Sequence, residues 1–337
     1  MRRRPSNRPL AAALALGAVA AAAIGTTSAG FTSQAGSAAN RVTAAPDFVA
    51  PQASAAVVGK STPYLAGKVK QGGSYYVYAN ATDTGNPAAG IATITANVAN
   101  VTTGQTSVAL SAGSFSAQGV SYGYRSAALT ANASLSEGPK SFTLTLADNA
   151  SNSRTQTGFS VTVDNTAPAA SDVQTANAGS NASLPEAGDT ITFTTNDGLD
   201  PHSISSGWTG SALNCVVRIL DNALLGLPLG NDRLVVYDSS NTTQLPLGEV
   251  DMGRNDYAGD GILGGGDAIF GASGTKSSMV MSGATITITL GTASGRPHDA
   301  AGSGTMTWSP STTPTDGAAN AMSSASRTET GSADPEF

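Results

Sequence analysis

The stretch SFTLTLADNASNSRTQTGFSVTVDNTAP, residues 141–168, decides the fold class. Phe142, Leu144 and Leu146 alternate with Ser141, Thr143 and Thr145, a period of two that makes one apolar and one polar strand face. DNASN then supplies turn formers, and Phe159, Val161 and Val163 alternate again on the far side. Two such runs about a polar turn read as a half-buried antiparallel hairpin. VDNTAP closes it: Pro168 removes a ladder donor and biases Ala167 toward extended backbone, so a new domain starts here.

The same period extends in both directions. Upstream, SYYVYAN opens the series, and IATITANV places Ala92, Ile94, Ala96 and Val98 on one face. Downstream come TITFTTND, NCVVRIL, DRLVVYD, ATITITLGT and TMTWSP, with Ile286, Ile288 and Leu290 alternating with threonines. The 39 glycines and 16 prolines suit many short strands and suit long helices badly. Charged residues are 12% of the chain, about half the roughly 25% of an ordinary soluble domain. The reading is an all-β chain of two antiparallel sandwiches, at 62–167 and 168–325. A low-complexity linker at 30–61 precedes them, and a polar tail at 326–337 follows. No segment after the first thirty residues reads as a helix.

The N-terminus has three parts: MRRRPSNRPL with four arginines, an apolar run from Leu10 to Ile24, and small residues before a cut after Ala29. This is the pattern of a signal peptide, and the run is shorter than the ~20 residues of a spanning helix. Cleavage would leave 13 basic against 23 acidic residues and no membrane span. An acidic surface of that kind repels phosphate backbones, which argues against nucleic acid as a partner. Cys215 is the one cysteine, so no intrachain disulfide forms, and its strand-like setting LNCVVRIL reads as a buried small hydrophobe.

Catalytic motifs are scarce. GVSYG matches G-x-S-x-G at Ser121, but that motif needs a strand before it, a helix after it and a histidine in reach. The flanks here are alternating, and His202 and His298 sit in loop-like settings. Two histidines and one cysteine give no zinc spacing. The chain therefore reads as non-enzymatic, with no cofactor beyond calcium. Calcium takes its oxygens from loop carboxylates, amides and carbonyls, and two stretches could supply them. One is the joint, where Asp148, Asn149, Asp164 and Asn165 come from neighbouring loops if the sandwich closes. The other is NDYAGDGILGGGDAIFG, 255–271, with Asp256, Asp260 and Asp267. The second stretch also reads as a turn-rich connection, since calcium-binding glycine-rich repeats need several stacked copies.

The hairpin and its VDNTAP exit resemble the closing strands of bacterial Ig-like domains, and EAGDTITFT resembles the opening of another such repeat. SAGFTSQAGSAANRVTAAPDF is similar to the region after SipW-type signal peptides, and the composition suggests an actinobacterial source. The resemblance implies a fold far more than an activity. It leads to the expectation of a secreted or cell-surface structural or adhesion protein whose partners are extracellular proteins or wall polysaccharide. Two alternatives stand beside it: a biofilm-matrix protein that self-assembles by donating a strand from 30–61, and a carbohydrate- or wall-binding module. The aromatics a sugar face would use are Tyr75, Tyr76, Tyr78, Tyr122, Tyr124 and Trp208.

Overall fold

The computed structural model describes residues 47–61, 63–179, 181–224, 227–259 and 266–337. Val49–Phe337 is one compact unit, and of the other, Met1–Phe48, only the last two residues are described. The expected signal peptide and most of the linker lie outside the described residues.

The structure is nearly all-β, and its strands surround two separate cores. The first body contains β1 (Gln52–Gly59), β2 (Lys68–Val69), β3 (Ser74–Thr82), β4 (Ile91–Asn97) and β5 (Val108–Ala117). It continues with β6 (Val120–Ser126), β7 (Leu129–Thr130), β8 (Gly138–Asp148) and β9 (Ser153–Val163). Neighbours run in the order β1-β3-β6-β5-β4-β8-β9-β2, with β7 on β3. Only Val108 and Ala109 of β5 pair with β4, while Leu110 to Ala117 pair with β6, so this strand carries the path from one layer to the other. One end of the path, β1, comes back beside β9 near the other end, and no ladder joins these two strands. Instead the Gln156 amide clamps one residue: Ala53 N–H donates to Oε1 at 3.0 Å, and Nε2 donates to the Ala53 carbonyl at 3.0 Å.

The hairpin at 141–168 folds as its alternation requires. Phe142, Leu144, Leu146, Val161 and Val163 are all buried, and Phe159 stacks on Phe142 at 5.5 Å. In β4 the expected face is interrupted. Ile94, Ala96 and Val98 are buried, but the register shifts between Ile91 and Thr93, and Ala92 turns outward. A bulge of one residue flips every side chain before it to the other face.

The second body contains β10 (Ala170–Ala176), β11 (Thr190–Thr195), a single helical turn α1 (Pro201–Ile204) and β12 (Leu213–Leu220). Asp200 caps that turn, its carboxylate accepting from the His202 amide at 3.0 Å, with Pro201 at the first helical position. There follow β13 (Ala223–Leu224), β14 (Leu227–Pro228), β15 (Arg233–Asp238), β16 (Glu249–Asp251) and β17 (Ala268–Phe270). The last are β18 (Ser277–Ser282), β19 (Thr285–Thr289), β20 (Ala293–Gly295), β21 (Thr307–Ser309) and β22 (Arg327–Thr328). The main path is β10-β11-β19-β18-β12-β15-β16-β21-β22. Trp308 anchors this core, fully buried, edge-on to Phe193 at 4.9 Å and donating from Nε1 to the Leu247 carbonyl at 2.7 Å.

Two expectations about the ends of the domains are corrected. β1 lies inside the stretch read as linker, so the first body begins at Gln52 rather than 62. The polar tail is also not loose. Glu336 and Phe337 are at most 2% exposed, and β22 pairs with β21. β22 and the segment after it also reach β10: Arg327 Nε donates to the Ser171 carbonyl at 2.8 Å, and Thr330 N–H donates to Asp172 Oδ1 at 2.9 Å. The two ends of the second path thus meet through side chains, as β1 meets β9 at Gln156 in the first.

Candidate functional site

The densest charged arrangement lies where the two bodies meet. Three lysines of the first body, Lys60 just after β1, Lys68 on β2 and Lys70 just after it, reach into loops of the second. Lys68 Nζ stands 2.8 Å from Asp164 Oδ2 and 3.1 Å from Asp197 Oδ2. Burial alone would lower its pKa, but hydrogen bonds to Asp164 and Asp197 and their charges outweigh this and raise it. Lys60 Nζ forms an ion pair with the fully buried Asp200 at 2.8 Å and donates to Thr315 Oγ1 and the Asp316 carbonyl, both at 3.1 Å. Lys70 Nζ donates to the Ala319 carbonyl at 2.6 Å.

The loop that receives them, 314–322, is held from within. Asn320 donates to both oxygens of Asp316 at 2.8 Å and from its amide nitrogen to the Asp164 carbonyl at 2.9 Å. Burial pushes the Asp316 carboxyl up, against the hydrogen bonds from Asn320. Gly317 lies so close to Leu65 that an added Cβ would stand 3.0 Å from the Leu65 Cβ, so the two bodies touch through packing as well as charge. An open groove of about 480 Å³ borders the joint, lined by Tyr64, Leu65, Leu199, Pro201 and Met281.

This geometry rearranges the expected calcium ligands of the joint. Asp164 does meet two further carboxylates, Asp197 and Asp316, within 4.8 Å, but Lys68 supplies the positive charge among them. Asn165 turns away: its Oδ1 accepts from Gln71 N–H at 2.8 Å and its Nδ2 donates to the Leu135 carbonyl at 2.9 Å. Asp148 is at the other end of the β8–β9 hairpin, because Gly138 pairs with Val163 and Ala147 with Ser153. There it caps the hairpin turn, accepting from Asn152 N–H at 2.8 Å and Asn152 Nδ2 at 2.7 Å, while Asn149 donates to the Ala89 carbonyl at 2.9 Å. Asp148, Asp164 and Asn165 therefore do not form one site.

The glycine-rich stretch does not assemble either. Asp256 pairs with Arg254, Nε donating to Oδ1 at 2.8 Å, and accepts from Ala301 N–H at 2.9 Å. Burial would raise its pKa, but the hydrogen bonds from Arg254 and Ala301 and the guanidinium charge hold it below the usual carboxylate range. Asp267 Oδ1 accepts from Asp221 N–H at 3.3 Å. Among the described residues neither belongs to a cluster of three acidic side chains, and Asp260 lies outside the described residues. What the stretch builds is core. The amides of Tyr257 and Ala258 donate to Asp232 Oδ2 at 2.9 and 3.0 Å, and both side chains are buried.

The G-x-S-x-G match has a different origin. Gln118 and Gly119 have φ of 54° and 69°, so they make the two-residue turn of the β5–β6 hairpin, a turn that needs positive φ at both positions. Ser121 then pairs with Ser116 inside the ladder. His202 packs against Tyr64 at 5.6 Å, and His298 Nδ1 lies 3.2 Å from the Asp256 carbonyl. Cys215 is fully buried, and burial pushes its thiol up to about 12. Of the aromatics considered for a sugar face, Tyr75, Tyr78, Tyr122 and Trp208 are buried. Tyr76 is covered by the Arg125 guanidinium at 4.5 Å.

One acidic cluster carries no sequence signal of its own. Glu329, Asp334 and Glu336 lie in the stretch read as a tail, where three acids among polar residues look like a solvated end. Their carboxylates converge within 4.8 Å, and the packing of Phe337 against Tyr257 at 6.2 Å draws the segment inward. The terminal phenylalanine in an otherwise polar stretch is the one residue that could have pointed to docking.

Among the described residues no helix is long and apolar enough to cross a membrane. No protein-family model matches the chain, and no curated protein matches it. Among solved structures the chain is similar to dimeric latent PorU from Porphyromonas gingivalis, at 19% identity and a TM-score of 0.21. The match covers 73% of this chain and 20% of that one, so this chain spans about a fifth of that protein's length. A likeness of this size carries no argument about fold or function.

Proposed function

We propose that the chain is a non-catalytic, secreted or cell-surface structural protein, built from two Ig-like sandwiches that act as one stiff unit. Extracellular protein or wall polysaccharide docks on its surfaces and sheet edges. The observation that carries this reading is the joint. Lys60, Lys68 and Lys70 bind across it to Asp200, Asp197 and the carbonyls of 316 and 319. Domains joined by a bare linker move relative to each other by default, and a polar clamp with apolar packing opposes that motion. Such stiffness suits a protein that spaces or presents partners. The test is fractionation of the source cells with crosslinking before lysis. The chain is expected in wall and medium fractions, crosslinked to envelope protein or polysaccharide, and recovery in the cytosol would overturn the proposal.

A second reading, self-assembly by strand donation, has support from β1. That strand is the terminal one on its path, and beyond β3 it is held by few bonds: the Gln156 amide on Ala53, Arg154 on Gln52, and Gly67 N–H on the Val58 carbonyl at 2.7 Å. Exchanging β1 between copies would keep its seven register pairs with β3. Fibres that form with rising concentration, and that fail to form when a cross-strand disulfide ties β1 to β3, would favour this reading over the first.

A further inference from the structure

The seam that closes the second body carries charge without a counter-charge. β10 is joined to the segment after β22 by side chains: Asp172 and Gln174 hold Thr330, and Thr175 holds Glu336. Beside these bonds the carboxylates of Glu329, Asp334 and Glu336 come within 4.8 Å of one another. Each is fixed by its own contact. Glu329 Oε1 accepts from Met306 N–H at 2.9 Å, and the Asp334 carbonyl accepts from Gly304 N–H at 2.9 Å. Glu336 Oε2 accepts from Thr175 Oγ1 at 2.6 Å, and Glu336 N–H donates to the Tyr257 hydroxyl at 2.8 Å.

The remaining oxygen is the informative one. Glu336 is 1% exposed, and its buried Oε1 has no N–H or hydroxyl donor; the group beside it is the Glu329 carboxyl, which offers a donor only when protonated. A buried carboxylate oxygen without a donor costs several kcal/mol, and native structures rarely leave one so. Among the described residues none of the three acids belongs to an ion pair, whereas the acidic cluster of the joint has Lys68. The charges that act on Glu329 and Glu336 are those of Asp334, Asp172 and each other, all of one sign.

We infer that Glu329, Asp334 and Glu336 bind a calcium ion, which enters beside Glu336 Oε1 and clasps the closing segment onto β10. The donor set is all oxygen, which suits calcium or magnesium and not zinc, whose sites draw on nitrogen and sulfur. The ligands come from an irregular segment of eight residues, with Gly331 at φ 115° between the first two. Such a segment suits the flexible coordination of calcium better than the near-octahedral demand of magnesium. Asp334 is exposed, so the ion has a way in and room to keep water ligands. A proton shared between Glu336 and Glu329 is the competing way to settle the same oxygen, and it makes no use of a metal.

Thermal unfolding of the full mature chain, with calcium chloride against chelator and against magnesium chloride, separates the two. At 5 mM calcium and an affinity near 10⁻⁴ M, typical of extracellular sites, the midpoint is expected to rise by about 5 °C over the chelated protein. Magnesium is expected to give less than half that rise, and calorimetry is expected to give one calcium per chain. In Glu336→Gln the calcium shift is lost while the chelated midpoint holds or rises, because the repulsion has gone and the amide brings its own donor. Asp334→Asn, an exposed position that leaves folding intact, loses the shift as well, whereas Asp164→Asn, Asp148→Asn and Asp256→Asn keep it. No shift in the unaltered chain, a shift retained in both seam variants, or an equal response to magnesium would each overturn the assignment.

Discussion

Replacing Lys60 by methionine tests the joint directly. The change keeps the aliphatic stem and removes the ammonium from a carboxylate that is fully buried: Asp200 has 0% side-chain exposure and Lys60 21%. What remains for Asp200 is the cap bond from His202 N–H, together with a charge facing low dielectric. Breaking a buried pair from one side costs about 3–5 kcal/mol, and partial exposure of Lys60 places this pair at the lower end, about 3 kcal/mol. Loss of the bonds to Thr315 Oγ1 and the Asp316 carbonyl is part of that figure. Asp200→Asn keeps an acceptor for the helix cap and removes the stranded charge. The double variant is therefore expected to be at least about 1.5 kcal/mol more stable than the sum of the single changes predicts. Urea unfolding followed by tryptophan emission, from Trp208 and Trp308 of the second body, and by tyrosine emission should also cease to coincide in Lys60→Met, since uncoupled bodies unfold separately. A cost under about 0.5 kcal/mol, or strict additivity with Asp200→Asn, would show that the pair is solvated and that the joint does not stiffen the chain.

Three further outcomes follow from the buried groups. Asp232, with 0% exposure, has its carboxyl pushed up to about 6, first by burial and then by the charge of Asp221, against the amides of Ala258, Asn222 and Tyr257. A carboxyl that holds its proton more tightly when folded makes stability fall as pH rises, here between about pH 4 and 6 and by about 3 kcal/mol. Asp232→Asn is expected to flatten that stretch of a plot of urea midpoint against pH, and an unchanged slope would assign the effect elsewhere. Cys215, with its thiol at about 12, is expected to resist an aromatic disulfide reagent at pH 8 in the native state and to react once per chain in denaturant. Native labelling within seconds would contradict its burial. Gln156→Ala removes both bonds to Ala53 and is expected to cost about 1–2 kcal/mol and to speed amide exchange at Ala53 about tenfold. If exchange there is unchanged, the Gln156 clamp does not hold that end of β1.

Much of the strand content was legible because burial imposes a period of two on the sequence. Phe142, Leu144 and Leu146, and likewise Ile286, Ile288 and Leu290, have no other economical explanation, and all six are buried. β1 was hidden because QASAAVVG offers alanine on both faces and its register shifts between Ala53 and Ala55. The packed end of the chain was hidden for a related reason. Residues 310–337 bury few large side chains and are held mainly by polar bonds to distant partners, such as Asn320 to Asp164 and Thr330 to Asp172. Composition records residue types and not partners, so such a segment reads as solvated. The joint was half legible: VDNTAP marked the boundary and Asp164, but Lys68 lies 96 positions away and Lys60 reaches a residue 256 away. Nothing in local spacing ties them together.

The two seams share a construction with consequences for how the chain fails. In each body the last gap between strands is spanned by scattered bonds rather than by a ladder: Gln156 on Ala53, Arg154 on Gln52 and Gly67 on Val58 in the first, and Asp172, Gln174 and Thr175 on the closing segment in the second. A ladder spreads cohesion over every residue, so losing one bond changes little. A seam concentrates it in two or three groups, and opening there exposes a strand edge while the core strands stay paired. The first seam has no carboxylate among its bonding groups and so has no ion to wait for. The second rests on carboxylates, so its strength depends on what neutralises them. A protein with one fixed and one ion-responsive closure would keep its first body shut at all times and loosen its second where calcium is scarce. The lysine joint lies between them and would hold the two bodies together through that change.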